Sequence, residues 1–243
     1  MAGREVTVTR GGRVATLTLD RPDRRNSLSD SMLEALVSTL SALREDRDAR
    51  VVVVTGAPPV FSAGAHFERG NARTPEERRA AFQATRSQFR RLFERVTTLL
   101  EHLEQPTIAM LNGHAVGGGL GLALACDFRW AATEAELWIP EVDLGVPLGV
   151  ASTARLVRLV GPARAKEIIM EGRRYGAADA QAIGLVHRVV PAAALPEAVR
   201  EYAAGLAAKP FRPVAEVKAR INAIARTGIP DVNAMTEGFL DRD

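Results

Sequence analysis

A glutamate in an apolar setting and two turns of small residues are the groups in this chain whose types and spacing suit them to chemistry. Glu141 stands in "LWIPEVDLGVPLG". Upstream, "LNGHAVGGGLGLALACD" places Gly117, Gly118, Gly119 and Gly121 at the start of an apolar helical pattern. Glycine weakens a helix interior by roughly 0.5–1 kcal/mol relative to alanine, so this density needs a reason. A backbone amide touches a ligand atom only where no side chain intervenes, and the first amides of a helix are unpaired and carry partial positive charge. The turn "FSAGAHF", Phe61 to Phe67, is a second place of the same kind. Two such turns facing each other aim two N–H groups at one oxygen, which is an oxyanion hole. Close helix–strand packing with no ligand is the alternative reading of the glycines.

Other chemistries fit less well. There is no G-x-x-x-x-G-K-[ST], and Leu122 and Leu124 break both candidate G-x-G-x-x-G patterns, which disfavours dinucleotide binding. Cys126 is the single cysteine, so an intramolecular disulfide is impossible and a cysteine-based metal site is not expected. The net charge of +3 gives no electrostatic argument for nucleic acid. No run of about 18 or more uncharged apolar residues occurs, so no membrane span is expected. "MAGREVTVTR" carries charges where a signal peptide needs its apolar region, which makes the cytoplasm the expected location. Nearly all basic residues are arginine, which reads as codon bias or, alternatively, as arginine-based binding.

The elements that must position these groups follow from patterning. "EVTVTR" and "RVATLTLD" alternate with period two around Gly11 and Gly12 and predict a β-hairpin. "SLSDSMLEALVSTLSALRED" has helical spacing, with Ser29 or Asp30 as N-cap. "RVVVVTG" and "TIAMLNG" read as buried strands, and a polar helix runs from about Pro75 to Glu104 between them. Strand, small-residue turn and helix therefore occur twice. Past Pro140 the patterns are helical. One α/β unit over 1–190 with a helical C-terminal region over 191–243 is the expected organisation.

Six segments in order resemble the enoyl-CoA hydratase/isomerase (crotonase) superfamily: "LDRPDRRNSLS", "VVVVTGAPPVFSAGAHF", "TIAMLNGHAVGGGLGLALACDFRWAA", "WIPEVDLGVPLG", "ARLVRLVGPARAKEIIMEGRRYGAADAQAIGLVHRVVP" and "AAKPFRPVAEVKARI". The resemblance implies a crotonase-like spiral of repeated ββα units with a helical C-terminal region. It also implies homotrimers or hexamers, an acyl-CoA thioester substrate, and no metal or other cofactor, coenzyme A being part of the substrate. By position it assigns the oxyanion-hole amides to Ala65 and Gly118 and catalytic acid/base work to Glu141. Substrate contacts would come from Ala63, Gly64, His66, Phe67 and Gly117. Arg24, Arg25 and Arg69 are candidates for the CoA phosphates, or ordinary surface arginines.

Departures from the family pattern narrow the chemistry. Hydratases of the family carry a second glutamate where this chain has Gly121. One carboxylate suffices to move a double bond, by taking a C2 proton and returning it at C4, whereas hydration asks for more. Isomerisation is therefore the favoured expectation, with hydration or a catalytically silent acyl-CoA binder as alternatives. Gly149 stands where dienoyl-CoA isomerases add an aspartate, His66 where the family usually has aspartate, and Glu68 where several members have lysine. His66 reads either as a pH-sensitive group beside the substrate or as a structural histidine. The acyl pocket is expected from the segment around Gly70 to Leu92. The chain closes on "VNAMTEGFLDRD", before the family's usual final helix.

Overall fold

A computed structural model describes residues 5–66 and 75–227. In chain order the elements are β1 (Val6–Gly11), β2 (Val14–Leu19), α1 (Asp30–Glu45), β3 (Val51–Gly56), α2 (Pro75–Glu101), β4 (Thr107–Leu111), β5 (Ala115–Val116), α3 (Gly118–Ala123), β6 (Phe128–Ala132) and β7 (Glu136–Trp138). They continue as α4 (Val150–Glu171), β8 (Tyr175–Gly176), α5 (Ala177–Ala182), β9 (Arg188–Val190), α6 (Leu195–Ala207) and α7 (Phe211–Thr227).

Six strands form the main sheet in the order β1-β2-β3-β4-β6-β9. The opening hairpin is antiparallel and every other pairing in this sheet is parallel. All six residues of β3 are buried, which suits its Val-rich run to the middle of a sheet covered on both faces. Ser29 caps α1, its hydroxyl accepting from the Met32 amide at 3.1 Å, and Met32, Leu33, Leu36, Leu40 and Leu43 form the buried stripe.

A second, smaller layer runs alongside. Its sheet is β5-β7-β8, and single bridges extend it through Ser62–Ala115 and Leu28–Ala65. Each turn of the chain thus gives one strand to the main sheet and a short extended piece to this layer before its helix. Most of the residues singled out in the sequence come from the short pieces. Asn26 holds the first of them: its side-chain amide donates to the Ala57 and Val60 carbonyls at 2.7 and 2.8 Å, while its side-chain oxygen accepts from the Arg21 amide.

The expectation of a purely helical chain past Pro140 needs correcting. β8 and β9 lie there, and β9 closes the main sheet against β6. At two and three residues these strands are too short to show a period. β6 and β7 were likewise invisible to patterning. The C-terminal helices do form, and Leu195, Val199 and Ala203 of α6 are buried in the same core as the sheet. What reads as two helices, "VASTARLVRLVG" and "PARAKEIIMEG", runs as α4 with a kink at Gly161, whose φ is +77°.

Glu101, at the end of α2, ties three helices together. Arg155 and Arg158 of α4 and Arg226 of α7 all reach its carboxylate, Arg155 through two nitrogens at 3.0 and 2.5 Å. Burial pushes this carboxyl up, but Arg155, Arg226 and Arg158 outweigh it and hold it below the ordinary 4.5. Cys126 is buried, and burial together with the Asp127 charge raises its thiol to about 12. A disulfide-exchange reagent should therefore label Cys126 only after denaturation, as followed by thiol titration with and without guanidinium. Glu101→Gln should destabilise the fold by about 3 kcal/mol at pH 7, because three guanidinium groups lose their anion. That difference, read from urea melts, should shrink as pH falls below the ordinary carboxylate range, where the native carboxylate is itself protonated.

Candidate active site

The loop after β3 and the start of α3 meet with no side chain between them. Gly64 has φ +87°, and a Cβ there would stand 2.6 Å from the Val116 carbonyl oxygen and 3.3 Å from the Gly118 amide nitrogen. A Cβ on Gly118 would lie 3.4 Å from the Ala65 nitrogen. The loop is pinned on both sides. Ala63 donates to the Arg25 carbonyl, Leu28 to the Gly64 carbonyl, His66 to the Leu28 carbonyl and Val116 to the Ser62 carbonyl, all at 2.8–3.0 Å. The Ser62 hydroxyl donates to the Asn26 carbonyl at 2.7 Å and accepts from the Gly64 amide. Within this lattice the amides of Ala65 and Gly118 find no acceptor among the described residues. Gly118 opens α3, where an unpaired first-turn amide is expected.

Glu141 reaches the same place from β7. The Gly117 amide donates to the Trp138 carbonyl at 2.9 Å, which fastens the end of β7 beside the glycines. Gly117 has φ +48°, and a Cβ on it would sit 2.5 Å from Glu141 Oε1. Its two special demands, backbone and clearance, are both met by glycine alone. Oε2 of Glu141 is buried without a hydrogen-bond partner among the described residues. Burial raises the Glu141 carboxyl above its ordinary 4.5, with only a backbone hydrogen bond opposing the shift. The carboxyl lines a cavity of about 540 Å³ together with Ala63, Gly64, Ala65, His66, Gly117 and Gly118. That volume lies within the range of small-molecule sites.

The remaining candidates divide. His66 lines the cavity, with its Nδ1 3.4 Å from the Ser27 hydroxyl. Arg24 is not brought there: it lies on a surface turn, with Asp23 its ion-pair partner at 3.8 Å. Phe67, Glu68 and Arg69 fall outside the described residues, as do residues 70–74 of the segment expected to line the acyl pocket; from the far end of that segment, Phe89 and Arg90 line the cavity. Asp143, the spare carboxylate two residues past Glu141, is exposed and is not among the lining residues. Sequence reasoning missed Phe93, Glu94 and Ser152, which line the cavity from α2 and α4. Phe93 repeats on the buried face of α2 and carries no signal beyond core packing. Ser152 has no motif at all.

Gly121 also acquires a physical reason. A Cβ there would meet the Ser152 hydroxyl oxygen at 2.6 Å and the Phe93 ring at 3.0 Å. The space that a side chain at this position would need is already filled. Gly119 differs again, since a Cβ on it would run into Ser62 at 2.7 Å.

A second cavity, of about 390 Å³, lies by α4 and α7. Its charged groups are already partnered: Glu101 with the arginines, Lys218 with Asp127 at 2.8 Å, and Arg129 with the Leu185 and Cys126 carbonyls.

The family model described as enoyl-CoA hydratase/isomerase matches residues 9–238. The chain belongs to this family. It is 38% identical over 210 residues to a putative enoyl-CoA hydratase/isomerase, YngF, of Bacillus subtilis, covering 86% of this chain and 78% of that protein. It is also 38% identical over 208 residues to the 2,3-dehydroadipyl-CoA hydratase of Escherichia coli, covering 86% and 76%. Among solved structures, a monofunctional enoyl-CoA isomerase from M. smegmatis superposes with a TM-score of 0.80 at 32% identity, over 96% of this chain and 100% of that one. An enoyl-CoA hydratase from Bacillus anthracis superposes at 0.85 and 35% identity, over 96% and 88%. The architecture is therefore the crotonase fold, and the protein is an acyl-CoA enzyme of the hydratase/isomerase family.

Gly117→Ala is the sharpest test of the geometry. The new methyl must displace the Glu141 carboxylate, and a misplacement of about 1 Å costs on the order of 10²-fold in rate. Turnover of an enoyl-CoA should fall by about that factor, with thioester binding, measured by calorimetry, changed far less.

Proposed function

We propose that this enzyme moves a carbon–carbon double bond of an enoyl-CoA from C3 to C2, with Glu141 as its single acid/base. The thioester oxygen would accept from the amides of Ala65 and Gly118. The Glu141 carboxylate takes a proton from C2, and the electron pair passes into the thioester to give a dienolate on that oxygen. Protonated Glu141 then returns the proton to C4, leaving the double bond at C2 and the carboxylate restored. Removing one donor from such an oxyanion site costs about 2.7–4 kcal/mol of barrier in a characterised hydrolase. The backbone clearances at Gly64 and Gly118 would therefore count for as much as most side chains here.

The observation that carries this reading is the pairing of a Glu141 carboxyl whose buried Oε2 has no partner among the described residues with a filled space at Gly121. A raised carboxyl pKa suits a group that must both take and return a proton near neutrality. A hydroxyl and a phenyl ring, neither a base, stand where a second carboxylate would have to fit. One observation favours hydration instead: Glu94 also lines the cavity, from α2, and offers a carboxylate from another direction.

Assembly belongs to the same proposal. Val217 and Ile221 of α7 are 53% and 59% exposed, and Leu144, three residues past Glu141, is 69% exposed. Leu144 lines the Glu141 cavity, whereas Val217 and Ile221 line the cavity by α4 and α7; large apolar groups left in water favour burial against further copies of the chain, which agrees with the expected trimer or hexamer.

The discriminating assay offers a 3-enoyl-CoA and a 2-enoyl-CoA to wild type, Glu141→Gln and Glu94→Gln. The expected result is isomerisation without hydration, reduced by at least 10²-fold in Glu141→Gln and kept in Glu94→Gln. Robust hydration by wild type, lost in Glu94→Gln, would overturn the single-base reading. Binding of both thioesters with turnover of neither would point to a silent binder.

The carboxyl's pKa gives a second check. Glu141 must be ionised to take the proton, so kcat/KM should rise with pH through an apparent pKa above the ordinary carboxylate value. Stability should move the opposite way. The native state holds this proton more tightly than the unfolded chain, so native stability falls as pH rises from the unfolded to the native pKa. Glu141→Gln should accordingly raise the melting temperature at pH 8 and leave it nearly unchanged at pH 4, as read by scanning calorimetry.

A further inference from the structure

Ser152 is a buried residue whose hydroxyl oxygen opens only onto the cavity and finds no partner among the described residues. It is 2% exposed, lines the same cavity as Glu141, and makes no hydrogen bond to any described residue. Buried hydroxyls ordinarily find a partner, so one that lacks it and faces a cavity points to a ligand atom or an ordered water. Gly121 is what admits it, since the Ser152 oxygen occupies the place next to the missing Cβ.

Ser152 is also the third residue of α4, and Gly149 and Ala151 of the same turn line the cavity with it. The N-cap position is Gly149, which has no side chain to satisfy the first-turn amides. Hydroxyl and helix N-terminus together make a donor set, and a donor set selects an acceptor oxygen. Two carboxyls, Glu141 and Glu94, line the same cavity against one guanidinium, Arg90, so an ionised carboxylate on the ligand would meet more like charge than opposite charge. An uncharged carbonyl is the acceptor that fits.

The position along the acyl chain follows from α3. Glu141 Oε1 lies against Gly117 and Ser152 Oγ against Gly121, and the Gly121 amide donates to the Gly117 carbonyl. The two side chains therefore approach α3 at positions four residues apart in sequence, and both line the same cavity. An acyl chain whose reacting carbons lie at Glu141 passes Ser152 within its next few atoms.

We propose that Ser152 and the N-terminus of α4 form a carbonyl subsite in the acyl pocket, so that this enzyme prefers CoA thioesters whose acyl chain carries a keto oxygen. Ser152 is then a specificity-determining residue. The proposal rests on the reading of the cavity as the acyl-CoA site.

Calorimetric titration tests it with hexanoyl-CoA and its 3-oxo, 4-oxo and 5-oxo derivatives, against wild type and Ser152→Ala. At least one keto thioester should bind wild type about 5–10-fold more tightly than hexanoyl-CoA, the worth of one net hydrogen bond. In Ser152→Ala that ratio should fall to near one, with hexanoyl-CoA affinity held within about twofold. Equal binding of all four thioesters by wild type would overturn the subsite and leave the functional reading intact. So would a keto preference that survives Ser152→Ala, since the hydroxyl would then hold only water. Failure of every thioester to bind would overturn both.

Discussion

Everything at this site depends on two stretches of backbone approaching where no Cβ fits. The loop after β3 and the first turn of α3 come close enough that the Ala65 and Gly118 amides share one space, and the Glu141 carboxyl lies against Gly117. A methyl group at Gly64 or Gly117 would fall 2.5–2.6 Å from a backbone or carboxylate oxygen, well inside any tolerated contact. The approach is held by main-chain bonds on both sides and by Asn26, a fully buried amide that ties the loop after β2 to the loop after β3. Amides fixed in this way need no reorganisation when charge develops on an oxygen between them, which is the physical basis of oxyanion stabilisation.

The carboxyl poses the opposite problem. An unpaired buried carboxylate is unfavourable, and at Glu141 burial acts almost unopposed. The protein tolerates this because the rest of the fold is well anchored. β7 is tied to Gly117, the second layer is bridged to the main sheet loops, and Glu101 gathers arginines from α4 and α7. The contrast between the two glutamates is instructive. Both are desolvated, yet Glu101 meets three guanidinium groups and is held low, whereas Glu141 pairs with none among the described residues and is held high. One is held as an anion by its partners, and the other is biased by burial toward its protonated form.

Much of this was legible from local signals. The hairpin around Gly11 and Gly12, the Ser29 cap, the buried Val run of β3 and the α6 stripe each follow from periodicity or capping, which act between near neighbours in the chain. Strands β7, β8 and β9 were not legible, because two or three residues carry no period and their pairing partners are far away in sequence. Among the candidate site residues, Ala63, Gly64, Ala65, His66, Gly117, Gly118 and Glu141 do come together around one cavity, whereas Arg24 remains on a surface turn. A surface arginine and a phosphate-binding one look alike in a sequence, since the difference lies in what faces them.

The sequence by itself determined which backbone positions are bare of side chains and which carboxyl sits in an apolar stretch, because both are properties of residue type and immediate neighbours. From these came the family, the paired turns and the significance of Gly121. Only the tertiary structure decided what fills the space at Gly121. Ser152 and Phe93 arrive there from two different helices, and no local pattern encodes a contact between residues so far apart in the chain. Read alone, Gly121 is a missing carboxylate; in the folded protein it is the opening through which a hydroxyl from α4 reaches the cavity that Glu141 lines.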